Sequence, residues 1–237
     1  MLPLRDLNPT RRLPLFTYGL IGLNVIIFLW EMSLSPEQLQ QAFMQLSVVP
    51  ANVSADPFSL ETLLDMVRSM FFHGGYEHIF GNMLYLWLFG DNVEDRFGGI
   101  FYLILYFVSG FVAAIAQVLI DPTSTIPLVG ASGAIAGVLG GYLVLFPNIK
   151  VQGLMPLGRI STMTEMPAWV VLGFWFVLQL FNGVTSLGAE TATGGVAFFA
   201  HVGGFVAGLV LAIVFMQIAP QPPANQRREL LYQRARR

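Results

Sequence analysis

The stretch "PLVGASGAIAGVLGGYLVLFP", Pro127 to Pro147, decides how this chain is read: it sets Ser132 at the head of a run that is otherwise almost wholly apolar. Gly133, Gly137 and Gly141 recur at every fourth residue and therefore share one helical face, where small residues let two membrane helices approach closely. Pro147 and the polar residues after it mark an interface, so the helix is read over Ser132 to Phe146. From that end back to Ser132 it measures roughly 22 Å, against about 30 Å of bilayer hydrocarbon. The hydroxyl thus lies below the membrane surface, and the loop before it must dip with it, which irregular backbone tolerates only beside protein or a water-filled pocket.

The rest of the chain fits this setting. Of 237 residues, 55% are hydrophobic and 11% charged, and the mean hydropathy is +0.65, which excludes a water-soluble domain. The absence of cysteine excludes disulfides, thiolate metal sites and a cysteine nucleophile. Six stretches span or nearly span a bilayer: Leu13 to Leu34, His78 to Val93, Ile100 to Ile120, Ser132 to Phe146, Met166 to Val184 and Val196 to Ile218. The predicted class is all-α, a polytopic membrane protein with six transmembrane helices. With the N-terminus inside, every lysine and arginine except Arg68 falls on the inner side, as the positive-inside rule requires. The expected organisation is a cytoplasmic N-terminus over 1–12, a membrane domain over 13–218 and a basic cytoplasmic tail over 219–237. The first span reads as a retained signal anchor. A long outer loop over 35–77 holds an interfacial helix in "FSLETLLDMVRSMFF", and the location expected is the cell (inner) membrane, with the pocket open to the outer side.

Two further polar groups sit at the depth of the serine. From the inner ends of their spans, His78 and His201 each stand roughly 24 Å up the helix. A serine hydroxyl becomes a nucleophile when a base takes its proton, and imidazole suits that role near neutral pH. His201, in "AFFAHVGGFVAG", precedes Gly204 and Gly208, which lie one turn apart and can meet the glycine face after Ser132. His78 and Asn82, four apart on one face, can donate hydrogen bonds to a tetrahedral oxyanion, as can the free backbone N–H of Ser132 at a helix start. No carboxylate lies near His201 in sequence or at its depth, so the expectation is a Ser132–His201 dyad without an acidic partner. Gly130 and Gly133 permit a tight helix entry and close approach of a substrate backbone.

With "GASG", "HIFGN" and "AHVGGFVAG" in this order on these spans, the chain resembles the rhomboid intramembrane serine proteases, in their minimal six-span bacterial form. The resemblance implies Ser132 as nucleophile, His201 as general base, and His78, Asn82 and the Ser132 amide as the oxyanion hole. His73 and Glu94 also stand where the family often places the same residue types. The chain departs from the pattern at Val67 before Arg68, where some members carry Trp before Arg, and at Ala136, where some carry an aromatic residue.

The activity expected is an endopeptidase acting through an acyl-enzyme on single-span membrane proteins, because a sub-surface pocket reaches only a bond unwound at that depth. The fifth span, aromatic and without tight glycine spacing, is the expected substrate entry wall. A silent rhomboid-like client binder and a transporter are the alternatives; the second is disfavoured by the missing internal repeat. Besides substrate the partner expected is the lipid bilayer. No cofactor, metal or nucleic-acid partner is expected, since "HGGYEH" has the spacing of neither zinc-protease motif.

Overall fold

The computed structural model describes residues 2–157, 160–186 and 197–219. Nine helices are seen among them. An apolar helix α1 (Leu15–Glu31) is followed by three short ones, α2 (Pro36–Leu46), α3 (Pro50–Ala55) and α4 (Leu60–Ser69). The remainder of the bundle is α5 (Tyr76–Phe97), α6 (Gly99–Ile120), α7 (Ser132–Leu145), α8 (Ala168–Ser186) and α9 (Phe198–Ile218). Among the described residues α6, α8 and α9 are long and apolar enough to cross a membrane, and α1 and α7 are shorter apolar helices. Local chemistry sets the boundaries. Ser35 and Gln38 form a capping box at α2, Ser59 caps α4, and Gly98 (φ +80) turns the chain between α5 and α6.

The centre of the bundle is α7, buried without interruption from Gly133 to Tyr142. Its glycine face meets α9 at backbone contact: a Cβ at Gly204 would run into the carbonyl oxygen of Gly133, and one at Gly208 into that of Gly137. On another side a Cβ at Gly137 would strike the Ser109 side chain of α6. Close approach here rests on dispersion and backbone contact, since lipid removes the hydrophobic drive between helices.

The long loop over 35–77 differs from expectation in holding three helices instead of one interfacial piece. Only Leu60–Ser69 of "FSLETLLDMVRSMFF" is helical. This loop also satisfies the backbone that dips toward Ser132. Leu128 N–H donates to the Val48 carbonyl at 2.7 Å, and Gly130 N–H to the Ser69 carbonyl at 2.8 Å. Protein, then, supplies the partners that irregular backbone at this position needs.

The all-helical expectation needs correction, because the fold is mostly helical with one small sheet. Strands β1 (Leu2–Asp6), β2 (Lys150–Leu157) and β3 (Ile160–Pro167) pair antiparallel in the order β1-β2-β3. Consequently the fifth expected span, α8, begins at Ala168 and not at Met166, since Met166 and Pro167 belong to β3. Asp6 ties the sheet to the bundle by accepting from Asn92 Nδ2 and the Tyr142 hydroxyl, both at 2.9 Å. The sheet therefore lies at the end opposite Ser132, near the C-termini of α5 and α7. The basic tail beyond Ala219, Val196 and Arg159 lie outside the described residues.

Candidate active site

The chain enters α7 through Gly130, whose φ of +125 suits glycine, and the helix starts at Ser132 itself. Ser132 Oγ stands 2.8 Å from His201 Nε2, near the start of α9. The register of this pair follows from the glycine contact, because Gly133 and Gly204, which touch, directly follow the serine and lie three residues after the histidine. His201 is buried, and its second nitrogen, Nδ1, stands 2.7 Å from Gln179 Oε1 on α8. An amide oxygen only accepts, so the ring proton sits on Nδ1 and the Nε2 lone pair faces the serine hydroxyl. One turn before Gln179, the Trp175 ring packs on the imidazole, with centroids 5.8 Å apart and planes tilted by 36°. Ala136, fully buried and lining the same cavity, is thus not the neighbour that steadies the ring.

His78 and Asn82 present themselves from α5. The Gly74 N–H donates to His78 Nδ1 at 3.3 Å, which leaves His78 Nε2 carrying the proton and able to donate. A Cβ at Gly130 would come within 2.7 Å of His78 Cε1 and Nε2 and 3.7 Å of Asn82 Nδ2. The missing side chain is what lets both groups stand beside the backbone entering Ser132. Asn82 Nδ2 is buried and makes no hydrogen bond among the described residues, and such an orphan donor in a polar site waits for an acceptor. Ser132, His201, His78, Asn82, Trp175 and Gln179 line one cavity of about 960 Å³. The arrangement can hold a carbonyl between an activated hydroxyl and two side-chain donors, with the unpaired amides of the first turn of α7 adding to them.

Behind His78 stands His73, in the segment joining α4 to α5, with ring centroids 5.1 Å apart. Burial, helped by the nearby His78, pushes the His73 imidazole down to about 4, so it is neutral at ordinary pH. Its backbone N–H donates to the Glu31 carboxylate at 3.1 Å, pinning the outgoing end of α1 to this segment. Glu94 lies at the far end of α5 and serves a different purpose: it accepts from the N–H of Phe16 at 3.0 Å, from the N–H of Thr17 at 2.7 Å and from the Thr17 hydroxyl at 2.7 Å, capping α1. Arg68 pairs with Glu61 and Asp65 at 2.6 and 3.0 Å within its own helix. The sequence carries one signal for Gln179 and Trp175: a four-residue spacing that sets both on one face of an apolar helix.

An apolar bundle in which a serine hydroxyl meets an imidazole inside a cavity describes an integral membrane protein with an enclosed polar site. The family model for the Rhomboid domain matches residues 60–218, and the chain belongs to the rhomboid family. It is similar to Rhomboid protein 1, mitochondrial, of Saccharomyces cerevisiae, at 26% identity over 199 residues, covering 81% of this chain and 51% of that protein. RHOMBOID-like protein 4 of Arabidopsis thaliana is 34% identical over 144 residues, covering 61% of this chain and 32% of that protein. Rhomboid protease GluP of Bacillus subtilis is 31% identical over 172 residues, covering 68% of this chain and 32% of that protein. The chain therefore spans about a third to a half of the length of these relatives. They come from a yeast, a plant and a bacterium, so the likeness marks the family and not a bacterial subtype.

Proposed function

We propose that this chain is an intramembrane serine endopeptidase that hydrolyses a peptide bond in or near the transmembrane segment of single-span membrane proteins. Six helices, α1, α5, α6, α7, α8 and α9, cross the bilayer of the cell (inner) membrane. Both termini and the sheet lie on the cytoplasmic side, and the cavity opens toward the outer side. The topology is supported by the placement of basic residues, with Arg68 alone on the outer side.

Ser132 Oγ attacks the scissile carbonyl while its proton passes to His201 Nε2. The resulting oxyanion is held by Asn82 Nδ2, His78 Nε2–H and the Ser132 amide. Collapse breaks the C–N bond, and His201 returns the proton to the leaving amine. Water then attacks the acyl-enzyme, giving its proton to His201, and the carboxylic product departs as Ser132 recovers its hydrogen. The helix of a membrane substrate hides its carbonyls in its own hydrogen bonds, so segments loosened by glycine, proline or small polar residues are the preferred clients. They enter past α8, whose Trp169, Phe174, Val177 and Phe181 are exposed and whose buried contacts are few.

The observation that carries this reading is the 2.8 Å contact between Ser132 Oγ and His201 Nε2 in a cavity lined by Asn82 and His78. A serine-directed fluorophosphonate should label the wild type and neither Ser132→Ala nor His201→Ala, and the same variants should fail to cleave tagged single-span proteins on co-expression. Client capture by the wild type without labelling or cleavage would instead identify a silent binder.

A further inference from the structure

We propose that Gln179 is a positioning residue for His201, so that α8, the thinly embedded wall of the cavity, completes the base. The inference rests on the Ser132–His201 reading above and deepens it. Three observations carry it. The Gln179 Oε1 to His201 Nδ1 separation of 2.7 Å is that of a good hydrogen bond, and its direction follows from the chemistry: for Nε2 to accept from Ser132, Nδ1 must carry the proton and requires an acceptor. Among the described residues no carboxylate bonds to either ring nitrogen of His201, which leaves the amide as the acceptor in place. Trp175 and Gln179 lie one turn apart on the same face of α8, so one helix supplies both the ring contact and the acceptor while Ala136 supplies neither.

An amide suits this place. It selects the tautomer and fixes the plane of the ring without introducing a second charge into an apolar bundle, where an ionised group is costly to bury. The placement on α8 has a further effect. Only 17% of the apolar stretch of α8 is buried, against 33% in α6 and α9, so of these three helices α8 is the one held by the least buried surface. When it shifts, Gln179 leaves His201 and the ring is free to turn. When it reseats, the base is aligned again. Passage of substrate past α8 and activation of the serine are therefore mutually exclusive states, and bond cleavage follows reseating.

The experiment compares Gln179→Leu and Gln179→Met, which remove the acceptor, with Gln179→Glu, which keeps one. Each is assayed in detergent on a short peptide substrate and with the fluorophosphonate. Expected is a fall in kcat of about 10- to 100-fold for Leu and Met with KM within about twofold, labelling slowed by the same factor, and Glu within about threefold of wild type. The ¹⁵N spectrum of the His201 ring should show one Nδ1–H tautomer in the wild type and a mixture in Gln179→Leu or Gln179→Met. Wild-type kcat in the Leu and Met variants, a Glu variant as slow as they are, or an unchanged tautomer would overturn the role of Gln179. Cleavage surviving in Ser132→Ala would overturn instead the dyad on which it stands.

Discussion

Gly130 is the residue at which one added carbon does the most damage. At φ +125 any side chain is strained, and a Cβ would displace the His78 ring and crowd Asn82. Gly130→Ala is expected to lower cleavage about 100-fold or more through the loss of oxyanion donors, while thermal stability in detergent falls by only about 1–3 kcal/mol. An active Gly130→Ala would mean that His78 and Asn82 do not act on the substrate carbonyl. At this scale much of the candidate site was legible, since Ser132, His78, Asn82 and His201 carry chemistry that an apolar span does not otherwise need, and the structure gathers them around one cavity. Gln179 was legible only as a polar residue in an apolar run. The partner that gives it meaning lies 22 positions away on another helix, and nothing in the local pattern selects that pairing.

Among the elements, the pairing of α7 with α9 depends on contacts that tolerate no side chain. A Cβ at Gly208 meets the Gly137 carbonyl, so Gly208→Val must push the helices apart and carry His201 away from Ser132. Expected is a loss of stability of about 2–3 kcal/mol together with loss of fluorophosphonate labelling, whereas Gly173→Ala, with open space around its Cβ position, should leave both unchanged. Equal behaviour of the two variants would remove the close-packing account. The glycine faces were readable because their period matches the helix. The sheet was not. Its strands hold polar residues such as Thr162, Thr164 and Glu165 between apolar ones, and a reading keyed to long apolar runs passes over so short an alternation. Of the three helices in the long loop, α4 falls within the stretch read as helical, while α2 and α3 were missed for a related reason: they are shorter than a span and declare themselves mainly through the cap at Ser35 and the prolines that open them, Pro36 and Pro50.

For the molecule as a whole, the proposed activity requires that a membrane segment reach a hydroxyl enclosed by helices. The chain contains no cysteine, so a pair introduced on the facing sides of α5 and α8 would be the only possible disulfide. Locking it should slow cleavage of single-span substrates about tenfold or more, leave labelling by the small fluorophosphonate nearly unchanged, and reverse on reduction. Unaltered cleavage in the locked form would exclude entry past α8. The route by which the chain enters that helix bears on the size of any motion there. The Ala168 N–H donates to the Ile149 carbonyl at 2.8 Å and the Trp169 N–H to the Pro147 carbonyl at 3.0 Å, so the root of α8 is fastened beside the sheet. Were the helix to rock about that fixed root, Gln179 would ride on an arm roughly 16 Å long. A tilt of about 10° would carry the amide about 3 Å, a displacement as long as the bond it makes, so a small rocking at the fulcrum is enough to switch the base on or off.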